Sequence, residues 1–286
     1  MPPSDHWGDL LLSFHELSEE NAYILGTEQN ELYRLGLQHQ VWATEAQEGW
    51  RRAGFTAGQF ILDLGSGPGY CARELAFVCG NSGKVIAVDK SQSYLSFLED
   101  STQSLGLSIE TQCADFDAMT LEEETLDGMY SRWALAWVPN PKEVLSKVKK
   151  ALRPGGRMVL HEYYDWSTHQ TEPPLEGLKE AISAALKSFK DTEGEIDIGR
   201  ELPQIFDELG MEVISVRLMT KIGRPNDLVW QWPKSFYKSY FPRLMDMGYL
   251  NSAQVDEAFS DLAQLETMAG ATLFGPTMVE VIVEKP

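Results

Sequence analysis

Cysteine is scarce in this chain. Three residues among 286, Cys71, Cys79 and Cys113, stand scattered and without a CxxC pair, which excludes a disulfide scaffold and a cysteine-ligated metal site. The five histidines form no ligand cluster either, so no metal is expected. Basic residues are outnumbered, 24 Lys plus Arg against 43 Asp plus Glu, giving a formal net charge of −19. A field of that sign repels phosphate backbones and anionic lipid, so no nucleic-acid partner is expected. No apolar run approaches the ~20 residues needed to span a bilayer, and Met1-Pro2-Pro3-Ser4-Asp5 lacks a basic n-region. The expectation is a cytoplasmic protein with no membrane insertion, monomer or homodimer. The composition is otherwise ordinary, 43% hydrophobic and 23% charged, which excludes wholesale disorder.

The chain has two rhythms. Leu10, Leu11, Phe14 and Leu17 are helically spaced over about Trp7 to Glu20, and a second helix carries Leu32, Leu35, Val41, Trp42 and Trp50 until Gly54 ends it. From Phe60 short apolar runs alternate with helical stretches. Phe60–Leu64, Lys84–Asp89, Ser108–Cys113, Gly128–Tyr130 and Arg157–Tyr163 read as strands. Helices are expected up to Gly80, over Ser93–Leu105 and over Lys142–Leu152. Uninterrupted β-branched runs between helices predict a parallel sheet covered on both faces. After Asp165 the alternation breaks into helices at Leu178–Phe189, Glu201–Leu209 and Val255–Met268, with strands at Met211–Met219 and Met278–Val283; Lys221 to Gly270 shows no strand pattern.

The fold class predicted is therefore α/β, a Rossmann-like sheet. Its expected parts are an N-terminal helical cover (1–56), a core (58–165, resumed at 200–220 and 272–286) and two helical insertions (166–199 and 221–271). The insertions are expected to close over the carboxyl ends of the strands, where such sheets bind ligands.

Asp63-Leu64-Gly65-Ser66-Gly67-Pro68-Gly69 follows the first strand and opens a helix. Glycines there permit a tight turn and let a ligand approach the backbone. The loop lacks the Gly-Lys-Ser/Thr end of a phosphate loop, and its third glycine comes one position early for G-x-G-x-x-G. Asp89 ends the second strand, 24 residues after Gly65, where an acid can accept both hydroxyls of a ribose.

In this order the motifs resemble those of class I S-adenosylmethionine-dependent methyltransferases, in the small-molecule group similar to the ubiquinone-biosynthesis enzymes, over roughly Phe60 to Lys221. The resemblance implies a seven-stranded, mostly parallel sheet with an antiparallel last strand at its edge, and S-adenosylmethionine as cofactor, released as S-adenosylhomocysteine. It implies that Asp63, Gly65, Ser66, Gly67 and Gly69 hold the methionine part. Asp89 would take the ribose diol and Lys90 would lie beside the adenine. Ala114, Asp115 and Phe116 form the third motif, with Asp115 accepting from the adenine amino group. Ser131, Arg132 and Trp133 pass along the sulfonium region. Leu152 to Arg157 matches the turn before the fifth strand. Tyr23 and Gln38, in the N-terminal region, are further candidates for the cofactor's carboxylate or ammonium end.

For the chemistry, the end of the fifth strand supplies His161, Glu162 and Tyr163 as candidate catalytic residues. His161 suits a general base because its unperturbed pKa lies near neutrality. Tyr164, Trp166, Arg224, Trp230 and Tyr237 are candidates for holding the acceptor, expected to be a small, fairly apolar molecule methylated at oxygen, nitrogen or carbon. His6 and His169 are expected to do nothing chemical. The alternatives are a protein methyltransferase, a non-catalytic protein that binds the same cofactor, and a nicotinamide-dependent oxidoreductase, for which no Tyr-x-x-x-Lys pair stands in place.

Overall fold

The computed structural model describes residues 29–286; the expected helix over Trp7–Glu20, His6 and the candidate Tyr23 lie outside them. Helix α1, Gln29–Ala53, buries Trp42, Ala46 and Trp50 along one face. Gly54, at a φ of +77°, stops it.

The core then alternates as the sequence predicts: β1 (Phe60–Leu64), α2 (Tyr70–Cys79), β2 (Lys84–Asp89), α3 (Gln92–Thr102), β3 (Ile109–Cys113), β4 (Leu126–Arg132), α4 (Pro141–Ala151) and β5 (Leu152–Asp165). β6 (Gln170–Glu172), α5 (Glu176–Lys190), α6 (Leu202–Glu208), β7 (Glu212–Met219), β8 (Ile222–Gly223), α7 (Leu228–Asp246), α8 (Ser252–Thr267), β9 (Thr272–Phe274) and β10 (Thr277–Glu284) complete the chain. Seven strands form one sheet in the order β3-β2-β1-β4-β5-β10-β7. The first five are parallel, and β10 runs antiparallel to both its neighbours.

Two details differ from expectation. The closing strand β10 is interior, and β7 is the edge. The reason is compositional: residues 277–283 are buried on both faces, as an interior strand requires, whereas β7 intersperses Glu212, Ser215 and Arg217 with exposed Val216 and Leu218. The turn at Arg153–Gly156 is absorbed into β5, whose pairing with β4 jumps from Leu126↔Leu152 to Gly128↔Arg157, a bulge that Gly155 permits with a φ of +78°.

Beyond the sheet, α5, α7 and α8 pack together above a second sheet, β6-β9-β8. These strands have two or three residues each, too short for any period to register, and β8 falls inside the stretch expected to hold no strand. Pro233 and Pro242 lie within α7, whose Trp230, Tyr237, Tyr240 and Phe241 are fully buried. Among the described residues no helix is long and apolar enough to cross a membrane.

Candidate active site

The loop after β1 is fastened to the end of β2, where the Gly65 and Ser66 amides both donate to the Val88 carbonyl, at 2.9 and 3.0 Å. Gly65, Gly67 and Gly69 have φ of +73°, +53° and +77°, in the left-handed region that side chains with a Cβ resist. Their surroundings separate their roles. A Cβ on Gly65 would lie 2.4 Å from that of Ala134, and one on Gly69 2.4 Å from Leu98, whereas at Gly67 nothing stands within 4 Å. The first and third glycines therefore close the turn against protein, and the second faces open space. Asp89 is aimed across that space. Its carboxylate accepts from the Gly67 amide at 2.8 Å and the Ser91 amide at 2.9 Å, and burial raises its pKa despite those bonds.

A cavity of about 210 Å³ opens above this loop, at the carboxyl ends of β1, β2 and β4. Of the candidate cofactor residues, Gln38, Asp63, Gly65, Ser66, Gly67, Asp89, Lys90, Ala114, Asp115, Phe116, Arg132 and Trp133 all line it. Gly69 and Ser131 do not. Gly69 caps α2 from behind, and the Ser131 hydroxyl is spent on the Leu64 carbonyl at 3.0 Å, tying β4 to β1.

Two buried atoms in this wall are orphaned. Asp63 is 2% exposed, its Oδ2 has no hydrogen-bond partner, and desolvation pushes its pKa up to about 7 against the pull of Arg132. Arg132 Nη1 is buried and equally without a partner, with the guanidinium 5.0 Å from the centre of the Trp133 ring. A carboxylate oxygen and a guanidinium nitrogen left without partners in one wall are costly unless a ligand completes both. A zwitterionic amino-acid group does so. With Asp89 poised for a ribose and the Gly67 side left open, the residues present fit S-adenosylmethionine.

A second cavity, about 60 Å³, shares Gln38, Trp133 and Trp137 with the first. Tyr163, Trp166, Phe189, Trp232 and Phe236 supply its other rings, and Arg34 and His169 its basic groups. Trp133 stands at the junction. It lies between Tyr163 and Trp232, stacked on both at 5.6 and 5.8 Å, and holds a φ of +56° that a bulky side chain rarely adopts. Its ring nitrogen donates to Met278 Sδ at 2.9 Å, and Trp232 Nε1 donates to Gln38 Oε1 at 3.0 Å.

Several sequence candidates fall elsewhere. His161 lines neither cavity. It is fully buried under α1, between Glu280 at 3.0 Å and the Tyr130 hydroxyl at 3.3 Å, and burial lowers its pKa. Strand alternation gives the face but not the layer that covers it, and α1 covers this one: Arg52 joins the same Glu280 at 2.6 Å. Glu162 also lines neither cavity. Its Oε1 accepts from the Ala134 and Leu135 amides at 3.1 and 3.0 Å, and desolvation pushes its pKa up to about 8; it fixes the turn that roofs the cofactor cavity. Tyr164 is exposed with Arg200 over its ring, and Arg224 is exposed and bonded to the Ala269 carbonyl. Trp230 is core, its ring nitrogen on Glu266. Tyr237 lies behind the cavity wall, its hydroxyl donating to His169 Nε2 at 2.5 Å.

Of the remaining candidates, Tyr163 and Trp166 do line the second cavity. His169, set aside on sequence, is there too, 5% exposed. Its Nδ1 donates to the Phe274 carbonyl at 2.9 Å, and desolvation pushes its pKa down to about 4, so the ring is neutral with both nitrogens engaged. No local signal marks His169, because its partners come from β9 and α7.

Residues 61–156 match the methyltransferase domain family. The chain is 26% identical over 157 residues to the ubiquinone/menaquinone biosynthesis C-methyltransferase UbiE of Cronobacter sakazakii, covering 54% of this chain and 58% of that protein. It is 27% identical over 222 residues to an uncharacterized 37.1 kDa transposon protein of Streptomyces fradiae, covering 75% of this chain and 63% of that one. In both cases the chain spans less than two thirds of the relative's length. Phosphoethanolamine N-methyltransferase 2 of Haemonchus contortus, solved with S-adenosylhomocysteine, superposes with a TM-score of 0.55 at 17% identity over 85% of this chain and 52% of that one. The sheet order, the loop geometry and these matches agree on the fold of the class I S-adenosylmethionine-dependent methyltransferases, with the domain-family match itself lying at residues 61–156.

Proposed function

We propose that the protein transfers a methyl group from S-adenosylmethionine to a small-molecule acceptor whose reacting end enters the aromatic cavity. The observation that carries this reading is the pair of cavities with a common wall. The larger one presents Asp63 and Arg132 to an amino-acid zwitterion and Asp89 to a ribose. The smaller one adjoins it at Trp133 and is too narrow for a folded macromolecular surface. The cofactor supplies the electrophilic methyl carbon. The residues of this chain align the acceptor with it and keep water out, which is most of what an in-line displacement needs.

In this reading Asp63 receives the ammonium and Arg132 the carboxylate. Asp89, oriented by the Gly67 and Ser91 amides, receives the ribose hydroxyls; Lys90, Asp115 and Phe116 flank the base. Trp133, held in its strained conformation by two stacking partners, sets the boundary between the donor and acceptor sites. The segments 166–199 and 221–271 supply Trp166, His169, Trp232 and Phe236, and so select the acceptor. The test is transfer of radiolabelled methyl to panels of phenols, amines and activated carbon acids, beside bulk protein and RNA. Product in at least one small-molecule panel is expected; labelling of protein or RNA alone would sink the reading.

A further inference from the structure

The acceptor cavity has a chemistry of its own, whose interpretation rests on the reading of its neighbour as the methyl-donor site. Its walls are almost wholly rings, and both of its basic side chains are committed. Arg34 bonds buried Glu31 through Nε at 2.8 Å and Nη2 at 2.5 Å, and Gln38 through Nη1 at 3.0 Å, so its charge is compensated before any ligand arrives. His169 donates from Nδ1 to a carbonyl and accepts at Nε2 from Tyr237. No carboxylate lines the cavity among the described residues. A phenol or carboxylic acid would therefore find neither a base to take its proton nor an uncompensated cation to hold its anion. A neutral amine needs neither, since its lone pair is ready to react.

We propose that this cavity takes the nitrogen end of a neutral tertiary amine and holds the quaternary ammonium that methylation makes of it. The nitrogen lone pair forms the bond to the methyl carbon while the carbon–sulfur bond breaks and its electron pair returns to sulfur. The positive charge passes from sulfur to nitrogen, and no proton moves. Charge thus develops inside a box of indole, phenol and phenyl rings, whose faces attract cations most strongly where water is excluded. The size agrees: at ~15 Å³ per water-sized site, 60 Å³ admits a handful of heavy atoms, the content of a dimethylamino group and its first carbon. The chain's net charge of −19 favours the approach of the amine's protonated form in bulk, which sheds its proton before entering.

The experiment uses the full chain saturated with S-adenosylhomocysteine, and follows the quenching of its tryptophan fluorescence by choline and by 3,3-dimethylbutan-1-ol, the neutral carbon isostere. Choline should bind at least fivefold more tightly than the isostere. Phe236→Leu and Trp166→Leu should each reduce that preference, while the thermal shift given by S-adenosylhomocysteine stays intact. Equal affinity for the two probes, no ammonium binding up to tens of millimolar, or a preference unmoved by both variants would overturn the proposal while leaving the donor site standing. Failure of S-adenosylhomocysteine to bind the wild-type protein would instead overturn the reading of the donor site, and this proposal with it.

Discussion

Replacing Asp63 by Asn should trade cofactor affinity for stability, and both sides of the trade can be worked from the structure. The carboxylate is 2% exposed with one oxygen unpartnered, and its pKa is raised from 3.8 to about 7 by desolvation. A carboxyl whose folded pKa lies above its unfolded value stabilises the fold only while protonated. Its contribution therefore declines as pH rises from 3.8 to about 7, reaching about 4 kcal/mol lost above that window at 1.36 kcal/mol per unit. The same ionised group is what an incoming ammonium requires. With a pKa of about 7, Asp63 is roughly nine tenths ionised at pH 8, one tenth at pH 6 and one hundredth at pH 5. The affinity for S-adenosylhomocysteine should fall about tenfold from pH 8 to pH 6 and about a hundredfold by pH 5, with close to one proton released per ligand bound at pH 6. Calorimetry in two buffers of different ionisation enthalpy reads both quantities. Asp63→Asn should bind at least tenfold more weakly at pH 8, lose most of the pH dependence, and unfold several degrees higher without ligand. A wild-type affinity that is flat from pH 5 to pH 8, or a variant that binds as tightly at pH 8, would refute the assignment of Asp63 to the ammonium.

The glycine loop gives a graded test by thermal unfolding. Gly67→Ala, with open space around the new methyl, should cost only the ~1–2 kcal/mol of a left-handed alanine. Gly65→Ala adds a contact at 2.4 Å with Ala134 and should cost more than that, and abolish cofactor binding. His161→Gln should lower the melting temperature, because Glu280 loses a buried partner, yet leave the shape of the pH–rate profile unchanged; loss of an ionisation from that profile would reinstate His161 as a base. Glu162→Gln keeps the acceptor oxygen for the Ala134 and Leu135 amides and should retain activity within a few-fold. Glu162→Ala leaves both amides unanswered and should cost about 2–4 kcal/mol in urea unfolding.

That most of the candidate cofactor residues line one cavity was legible in the sequence because their placement is local. Gly65, Gly67, Asp89 and Asp115 sit at strand ends, and a strand end fixes both where a residue lies and which way the loop must turn. The second cavity was legible only in part. Tyr163 lies near the end of β5 and Trp166 directly follows it, and proximity to the strand end made them candidates. Trp232 and Phe236 arrive on α7, and His169 gains its meaning from Phe274 and Tyr237, remote in sequence. The aromatic crowd between Trp230 and Phe241 falls in the expected helical insertion 221–271, and the sequence does not say which rings would face inward. The structure assigns Trp230, Tyr237 and Phe241 to the core and Trp232 and Phe236 to the cavity. His161 was misread for a related reason: period 2 reports a face, and only the packing of α1 reveals that this face is sealed. The order of the last two strands likewise depends on burial of β10 on both sides, which its run Met278-Val279-Glu280-Val281-Ile282-Val283 half conceals through the buried Glu280.

The central claim is that this cleft binds an adenosyl amino acid, and calorimetry tests it most directly. Ligand-free protein, wild type and Asp89→Ala, would be titrated with S-adenosylmethionine, S-adenosylhomocysteine and NAD. Micromolar binding of both adenosyl compounds and none of NAD is expected. The variant should lose about a hundredfold in affinity, the equivalent of ~3 kcal/mol for two hydrogen bonds to a charged acceptor. Binding of NAD alone, or no adenosyl binding by folded wild-type protein, would contradict the claim.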